Sequence, residues 1–526
     1  MLSPKMPSCR PRILTSAGVA ATVAIRILIA GRSRKSLLVA MLSMLAAGLL
    51  PWPVSAADRS RPNILVVVAD DLGYGDLGCY GHPVILTPNL DRLAAEGLRL
   101  TSCYSAGASC SPSRTGLLTG RTPTRVGVQE AIPMLSPMHL RREEVTIAKL
   151  LGEHGYATCM AGKWHLNGMF NLPGQPQPSD HGFGHWFATQ NNALPNHHDP
   201  YSFVRNRIPV GPQQGYASAI VSREAAHWLR ALRDPAKPFF LYVAFHEPHE
   251  PIATAERFSR MYAAGDDPSR AAYYGNVSQM DDAFGQLMAT LDTLQLREST
   301  LVVFTSDNGP ARTRWHNAGS AGPLREHKGH LYEGGIRVPG IVRWPQHVRP
   351  GTTSDEPVCG VDLLPTLCQV AGVPLPADRA LDGASIVPLF SGQAIERATP
   401  LYWHYNLAIS APKVAMRVGD WKILARLDVP DLRHGGDIVA EMQTAIKTAS
   451  LASFELYNLR QDIGESHDLA AAEPRRVEEL AKQMRAIYRQ VCAEAPVWPA
   501  WKNVRYEDDR IEWPDYRARP LAARQR

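Results

Sequence analysis

The stretch from Cys110 to Arg121, CSPSRTGLLTGR, joins a nucleophilic side chain to a helix start and a cation. Pro112 suits one of the first helical positions, so the apolar residues that follow predict a helix beginning near Cys110. The free amide groups of a helix N-terminus attract anions, and Arg114 adds a planar guanidinium that matches tetrahedral oxyanions. The stretch therefore predicts an anion-binding site with a nucleophile. The alternative is a buried structural cysteine before an ordinary helix.

Oxygen ligands follow two apolar runs, NILVVVA at 63–69 and LVVFT at 301–305, which are typical of strands buried in a parallel sheet. The ligands are Asp70, Asp71, Asp307 and Asn308. If the two strands are neighbours, these side chains meet at the edge of the sheet where α/β proteins bind ligands. Three carboxylates and an amide oxygen suit calcium or magnesium and not zinc. For the first pair alone, a solvated turn is the alternative interpretation.

Further basic side chains lie beyond strand ends. Lys163 and His165 follow a predicted strand at 156–160, and in an extended segment side chains two apart point the same way, which predicts that both face one pocket. His249 lies in a proline-stiffened loop after the apolar run FFLYVAF, and Lys328 lies in a glycine-rich segment. Taken singly, each could be an ordinary structural histidine or surface lysine. His246 is interpreted as a structural histidine.

The motifs together resemble those of the sulfatase family. CSPSRTGLLTGR is similar to the signature C-x-P-x-R with a following T-G-R, and GKWHL at 162–166, P-H-x-P around His249 and E-G-G-x-R-V-P after Lys328 are similar to later family motifs. The resemblance implies that Cys110 is oxidised to formylglycine (3-oxoalanine) by a formylglycine-generating enzyme and becomes the nucleophile. The catalytic residues it implies are Cys110, Arg114, Lys163, His165, His249 and Lys328. The metal ligands it implies are Asp70, Asp71, Cys110, Asp307 and Asn308, with calcium the first choice of metal and magnesium the second.

Alternating helix and strand patterns surround these residues and predict an α/β fold. The resemblance implies an alkaline-phosphatase-like, mixed and mostly parallel sheet between helices, with a smaller C-terminal α+β domain that carries an antiparallel sheet. We expect the catalytic domain at 57–395, the C-terminal domain at 396–497 and a tail of no assigned function at 498–526. Residues 171–195, rich in Pro, Gly and Asn, predict a long loop. Short strands after residue 400 and a helix at about 477–491 predict the antiparallel sheet and its cover.

The first 56 residues predict a leader for export. They hold seven basic and no acidic residues, an apolar stretch at 36–50 and the small-residue pattern Val54-Ser55-Ala56. An uncleaved anchor is the alternative, although the stretch is short for a span of about 20 residues. Cleavage would take the formal net charge from +6 to −1, so composition does not support nucleic-acid binding. We expect a periplasmic or secreted protein without a stable membrane span. The cysteine spacing assigns neither disulfides nor zinc.

The most consistent interpretation is an exported sulfatase that hydrolyses a sulfate ester. The His- and Asn-rich loop at 191–199 favours a sulfated carbohydrate over small aryl sulfates, since its side chains can bond sugar hydroxyls. A phosphodiesterase or phosphonate hydrolase of the same fold is the first alternative, because a metal, two lysines and an arginine also suit phosphate esters. An unmatured, secreted glycan-binding protein is the second.

Overall fold

A central sheet organises the protein, which we describe from a computed structural model over residues 61–262, 267–313, 316–430 and 434–514. The predicted leader and residues 515–526 of the predicted tail lie outside the described residues. The described strands are β1 (Asn63–Ala69), β2 (Leu98–Leu100), β3 (Cys103–Tyr104), β4 (Ala157–Lys163), β5 (His185–Thr189), β6 (Val204–Arg205), β7 (Ile208–Pro209), β8 (Phe239–Ala244), β9 (Thr300–Ser306), β10 (Gly340–Arg343), β11 (Thr352–Ser354), β12 (Val358–Cys359), β13 (Leu401–His404), β14 (Val414–Val418), β15 (Trp421–Leu427) and β16 (Leu451–Asn458).

Ten strands form the large sheet, in the order β11-β2-β10-β9-β1-β8-β4-β5-β6-β7. The five central strands from β9 to β5 are parallel, whereas β10 and β6 run antiparallel to their neighbours. In β1, Ala69 pairs with Ser306 of β9, so both strands end at the same level. The prediction that these two strands are neighbours is confirmed, as is the mostly parallel sheet.

Helices pack on both faces of this sheet and on one face of the C-terminal sheet. They are α1 (Pro88–Ala95), α2 (Cys110–Thr119), α3 (Pro123–Val126), α4 (Ile147–Glu153), α5 (Ala217–His227), α6 (Glu256–Ser259), α7 (Pro268–Thr293), α8 (Glu333–Ile336), α9 (Leu363–Ala371), α10 (Ala440–Thr448) and α11 (Pro474–Glu494). Alternate residues of β1 belong to two core clusters. One includes side chains of α2, α4 and α9, and the other includes side chains of α1, α5 and α7. Among the helices of the described ranges, none is both long and apolar enough to cross a membrane.

The C-terminal sheet is antiparallel, in the order β13-β14-β15-β16. One of its faces packs on α10 and α11, where Leu480, Met484 and Val491 give the stripe predicted for the covering helix. Its other face shares a core cluster with Tyr104 and Ala108, which lie just before Cys110. This sheet therefore supports the loop that leads to Cys110. The domain boundary at 395 stays a prediction.

The segment 171–195, predicted as one long loop, contains regular structure. A short 3₁₀ helix spans Pro178–His181, and β5 follows and pairs with β4. Trp186 and Phe187 are buried on opposite faces of the sheet, and their packing outweighs the Pro- and Gly-rich composition that favoured a loop. The loop prediction is therefore wrong for β5. Because Thr189 of β5 pairs with Lys163 of β4, residues 190–192 lie at the same edge of the sheet as Lys163.

Candidate active site

The carboxyl ends of β1 and β9 bring the four predicted oxygen ligands together. The amide N of Asp71 lies 3.1 Å from Asp307 Oδ1, and Asn308 Nδ2 donates to Asp71 Oδ1 at 2.7 Å. All four side chains, including that of Asp70, are buried. Because two adjacent parallel strands end at one level, residues far apart in sequence become neighbours here.

Cys110 is the first residue of α2, as the sequence predicts, and its side chain reaches this cluster. The thiol donates to Asp70 Oδ1 at 3.5 Å, and Lys328 Nζ lies 3.4 Å from Cys110 Sγ. Burial raises the pKa of the Cys110 thiol far above its usual range, against the opposing effect of the lysines. An unmodified thiol at this position is therefore protonated near neutral pH and is a weak nucleophile.

Three cations balance the three carboxylates of the site. Arg114 donates to Asp307 Oδ2 through Nε at 3.0 Å and Nη2 at 2.8 Å, Lys163 Nζ pairs with Asp70, and Lys328 Nζ lies 2.6 Å from Asp71 Oδ1. The paired groups leave no net charge before an ion or substrate enters. A divalent cation would therefore give the site a net positive charge, which favours an anionic ester.

The two histidines predicted for the site occupy different positions. His249 Nε2 lies 3.7 Å from Asp71 Oδ2, and its Nδ1 contacts the carbonyl of Glu250. The sequence predicts an extended backbone at His165, but β4 ends at Lys163 and His165 has a positive φ of 53°. The extended geometry used to place Lys163 and His165 side by side is therefore wrong. His165 Nε2 instead lies 3.2 Å from the Ile132 carbonyl, and its buried Nδ1 has no partner among the described residues.

His246, interpreted as structural, is fully buried at the end of β5. Its Nε2 lies 2.7 Å from Thr189 Oγ1, and its ring packs against His197 and Phe203. Burial lowers the pKa of His246 to about 3, so the ring stays neutral and holds the end of β5 in place.

The residues present fit a hard divalent cation. Ligand atoms of Asp70, Asp71, Cys110 and His249 all lie within 4.8 Å of one another. Asn308 Oδ1 is buried and has no hydrogen-bond partner within the described part of the chain, as expected of an oxygen reserved for a ligand. Burial, with the charge of Asp70 next, raises the pKa of Asp307 to about 7. A bound cation would relieve this carboxylate crowding. Asp307 itself lies outside the 4.8 Å group and is held by Arg114.

A cavity of about 340 Å³ opens onto the cluster and was not evident from the sequence. Asp71, His249 and Lys328 lie at its base. Its walls include Glu250, Arg312, Thr313 and His327, together with Tyr405, Leu407 and Ile409 from the C-terminal part of the chain. No sequence signal marks the last three, because only tertiary packing of the C-terminal sheet brings them to the site.

Comparisons with known proteins agree with this geometry. A family model described as Sulfatase matches residues 62–373, and one described as N-sulphoglucosamine sulphohydrolase, C-terminal, matches 326–427. Arylsulfatase A of Homo sapiens is 36% identical over 508 residues, covering 90% of this chain and 95% of the relative. N-acetylgalactosamine-6-sulfatase of Canis lupus familiaris is 35% identical, over 73% and 74%. The solved structure of Ps i-CgsB in complex with k-i-k-neocarrahexaose is 28% identical, with a TM-score of 0.68 over 82% of this chain and 98% of that one.

Proposed function

Because the chain belongs to the sulfatase family and is a sulfuric ester hydrolase, we propose that it acts through formylglycine formed from Cys110, with a divalent metal beside it. The observation that carries this proposal is the position of Cys110 at the start of α2, in contact with Asp70 and Lys328. The raised thiol pKa argues against the unmodified cysteine as the nucleophile. In its hydrated form, formylglycine would supply two hydroxyls in place of one thiol.

The metal ligands would be Asp70, Asp71, Asp307 and Asn308, with residue 110. This oxygen-rich set supports calcium, with magnesium the second choice. When bound, the cation would lower the pKa of a hydroxyl next to it and polarise a sulfate oxygen. Arg114 would hold Asp307 in its ligating position, because two of its N–H groups bond one carboxylate oxygen.

The remaining side chains would bind the ester and move protons. Lys163 and Lys328 would contact sulfate oxygens as charge moves onto the leaving oxygen. His249 and Lys328 face the cavity through which a leaving group must depart, and either could protonate it. His165, whose buried Nδ1 has no partner among the described residues, would accept the proton of the second hydroxyl.

We propose a sulfated carbohydrate as the preferred substrate, with weaker action on small aryl sulfates, and export to the periplasm or medium. The charged side chains of Glu250 and Arg312 in the cavity wall support this choice, because they can bond sugar hydroxyls, and Ps i-CgsB is a related structure in complex with an oligosaccharide. The test is to measure kcat/KM on 4-nitrophenyl sulfate, a panel of sulfated oligosaccharides and bis(4-nitrophenyl) phosphate. The proposal requires the highest value on a sulfated sugar. A higher value on the aryl sulfate would refute the glycan preference, and a higher value on the phosphodiester would favour the alternative hydrolase.

A further inference from the structure

Two histidines and a glutamate lie together beside the active-site cavity and take no part in the proposed reaction. Glu326 Oε2 lies 3.4 Å from His327 Nδ1 and 3.5 Å from His330 Nε2. One ligand atom from each residue lies within 4.8 Å of the other two. We call these three residues the His–Glu cluster. It shares no residue with the carboxylates at the ends of β1 and β9.

The backbone holds the His–Glu cluster in one tight turn. Glu326 has a φ of 65°, in the left-handed region, and just before it the Arg325 carbonyl accepts a hydrogen bond from Gly334 N at 2.7 Å. Within the turn, Gly329 N donates to the Ala108 carbonyl at 2.9 Å. The three side chains are therefore brought together by a backbone that is bonded to its surroundings, and they need not gather around an ion.

The tautomer of His330 leaves a lone pair facing the glutamate. His330 Nδ1 lies 3.0 Å from the His327 carbonyl, which can only accept, so Nδ1 carries a proton. In the neutral ring, Nε2 is then an acceptor that faces Glu326 Oε2 with no proton between the two atoms. A cation bound between them would remove this repulsion. Metal-ligating histidines commonly bond a backbone carbonyl through one nitrogen and the metal through the other.

His327 also presents an unused nitrogen. Its Nδ1 is buried and has no hydrogen-bond partner in the described ranges, and the 3.4 Å to Glu326 Oε2 exceeds a normal N–H···O bond. Burial, followed by the charges of His330 and Arg312, lowers the pKa of His327. The ring is therefore neutral near neutral pH, which is the form that binds metals.

The distances and the donor types of the His–Glu cluster suit zinc. In a tetrahedral site with bonds of about 2.0–2.1 Å, neighbouring ligand atoms lie about 3.3–3.4 Å apart. The 3.4 and 3.5 Å measured from Glu326 Oε2 are close to this separation. Two imidazole nitrogens and one carboxylate are ligands that zinc prefers, whereas calcium prefers oxygen alone. The Glu326 side chain is 39% exposed, so water can complete the coordination.

We propose that Glu326, His327 and His330 form a second metal site, which binds Zn²⁺ and is separate from the oxygen-rich site at the ends of β1 and β9. This inference goes beyond the proposed function and does not depend on it. Lys328 lies between two of the ligands, and its Nζ is 2.6 Å from Asp71 Oδ1. An ion in the His–Glu cluster would therefore fix the turn that carries an active-site lysine.

The test measures Zn²⁺ binding to the untagged full chain by isothermal titration calorimetry, with the melting temperature as a second readout. The protein is stripped of metal with a chelator and then kept in excess calcium, which occupies the proposed oxygen-rich site. Glu326→Gln removes the charge and keeps the shape of the side chain, and His327→Ala removes one ring. Asp307→Ala reports on the oxygen-rich site.

His467→Ala is the matched control for the loss of a histidine. His467 lies 3.7 Å from one carboxylate, that of Asp462, and belongs to no cluster of three ligands within the described residues. Its removal tests whether any histidine beside a carboxylate contributes to zinc binding.

We expect the wild type to bind about one equivalent of Zn²⁺ and to melt at a higher temperature as zinc is added. Glu326→Gln and His327→Ala should each raise the Kd at least about tenfold and reduce the thermal shift, because each loses a ligand. The Kd of His467→Ala and of Asp307→Ala should stay within about twofold of the wild type.

A Kd for Glu326→Gln within about twofold of the wild type would overturn the proposal, as would zinc binding that a folded Asp307→Ala protein has lost. If His327→Ala fails to fold, Glu326→Gln decides the outcome. Neither readout uses activity. A wild type that hydrolyses no ester would therefore refute the proposed function and leave the zinc result standing.

Discussion

Two buried clusters in this protein both consist of ion pairs, and they differ in access. The active-site cluster pairs Arg114, Lys163 and Lys328 with three aspartates. The second, which we call the Lys422 cluster, consists of Lys422, Glu333 and Glu465: Lys422 Nζ lies 2.9 Å from an oxygen of each glutamate. It joins β15 to α8. Each cluster contains one carboxyl group whose pKa is raised to about 7, mainly by burial. That group is Asp307 in the active-site cluster and Glu465 in the Lys422 cluster.

The difference lies in what surrounds the charges. In the Lys422 cluster, Glu333 also accepts from the Tyr104 hydroxyl at 2.6 Å and from Arg337, and all three charged side chains are fully buried. The active-site cluster opens to the cavity through Lys328, which is 22% exposed, and contains the unpartnered Asn308 Oδ1. Shifted pKa values therefore do not distinguish function from architecture. Access does, because Glu465 Oε1 of the Lys422 cluster also has no hydrogen-bond partner within the described residues and yet lies beside no cavity that opens to it.

The largest effect should follow from replacing the nucleophile. Cys110→Ser, confirmed by mass to carry unmodified serine, should lower kcat at least about a thousandfold, because the residue no longer offers two hydroxyls. The melting temperature should stay close to that of the wild type, since the two side chains are similar in size. Sustained multiple turnover by this variant would show that sulfate release needs only one hydroxyl.

Removing a carboxylate beside the metal position should have the next largest effect. Asp307→Ala should lower activity about a hundredfold or more and reduce the calcium retained after dialysis, because it removes a proposed ligand and the carboxylate closest to Arg114. Glu298→Ala is the control, since Glu298 forms only an exposed ion pair with Arg343. Turnover by Asp307→Ala that stays unchanged from the untreated wild type after exhaustive chelation would rule out the metal site.

The Lys422 cluster should respond in stability and not in catalysis. Lys422→Met removes the cation that lies between two buried glutamates, of which only Glu333 keeps another cation, Arg337, and should lower the free energy of unfolding by about 3 kcal/mol. Arg460→Met, which breaks the exposed pair with Asp420, should cost at most about 0.5 kcal/mol. Chemical denaturation measures both, and kcat per folded molecule should change less than about twofold in either. A large loss of kcat with unchanged stability would mean that the Lys422 cluster takes part in catalysis.

The smallest effect concerns pH. The pKa of Glu465 rises from 4.5 to about 7 on folding, so the native state keeps a proton that the unfolded state has lost, and this group's contribution makes stability fall as pH rises from 4.5 to 7. Glu465→Gln removes that contribution. Plotted against pH, the stability of the variant relative to wild type should therefore increase across this window and level off above it. A flat difference would place the Glu465 pKa near its usual value.

The sequence predicted what local pattern determines and missed what packing determines. The apolar runs of β1 and β9 and the helix start at Cys110 are local signals, and the structure confirms them. The loop predicted over β5 and the extended backbone predicted at His165 fail because burial of Trp186 and Phe187 and a left-handed turn override composition. Leu407 and Ile409 carry no local signal at all, since they reach the site only through long-range contacts.

The central claim is that residue 110 is formylglycine in active protein. The most direct measurement is peptide mass spectrometry of the segment containing Cys110. Each preparation is first assayed for activity, then denatured and treated with iodoacetamide. The account predicts that the peptide carries an aldehyde in a fraction that rises with specific activity across preparations. A preparation of high specific activity in which Cys110 is fully alkylated would contradict it.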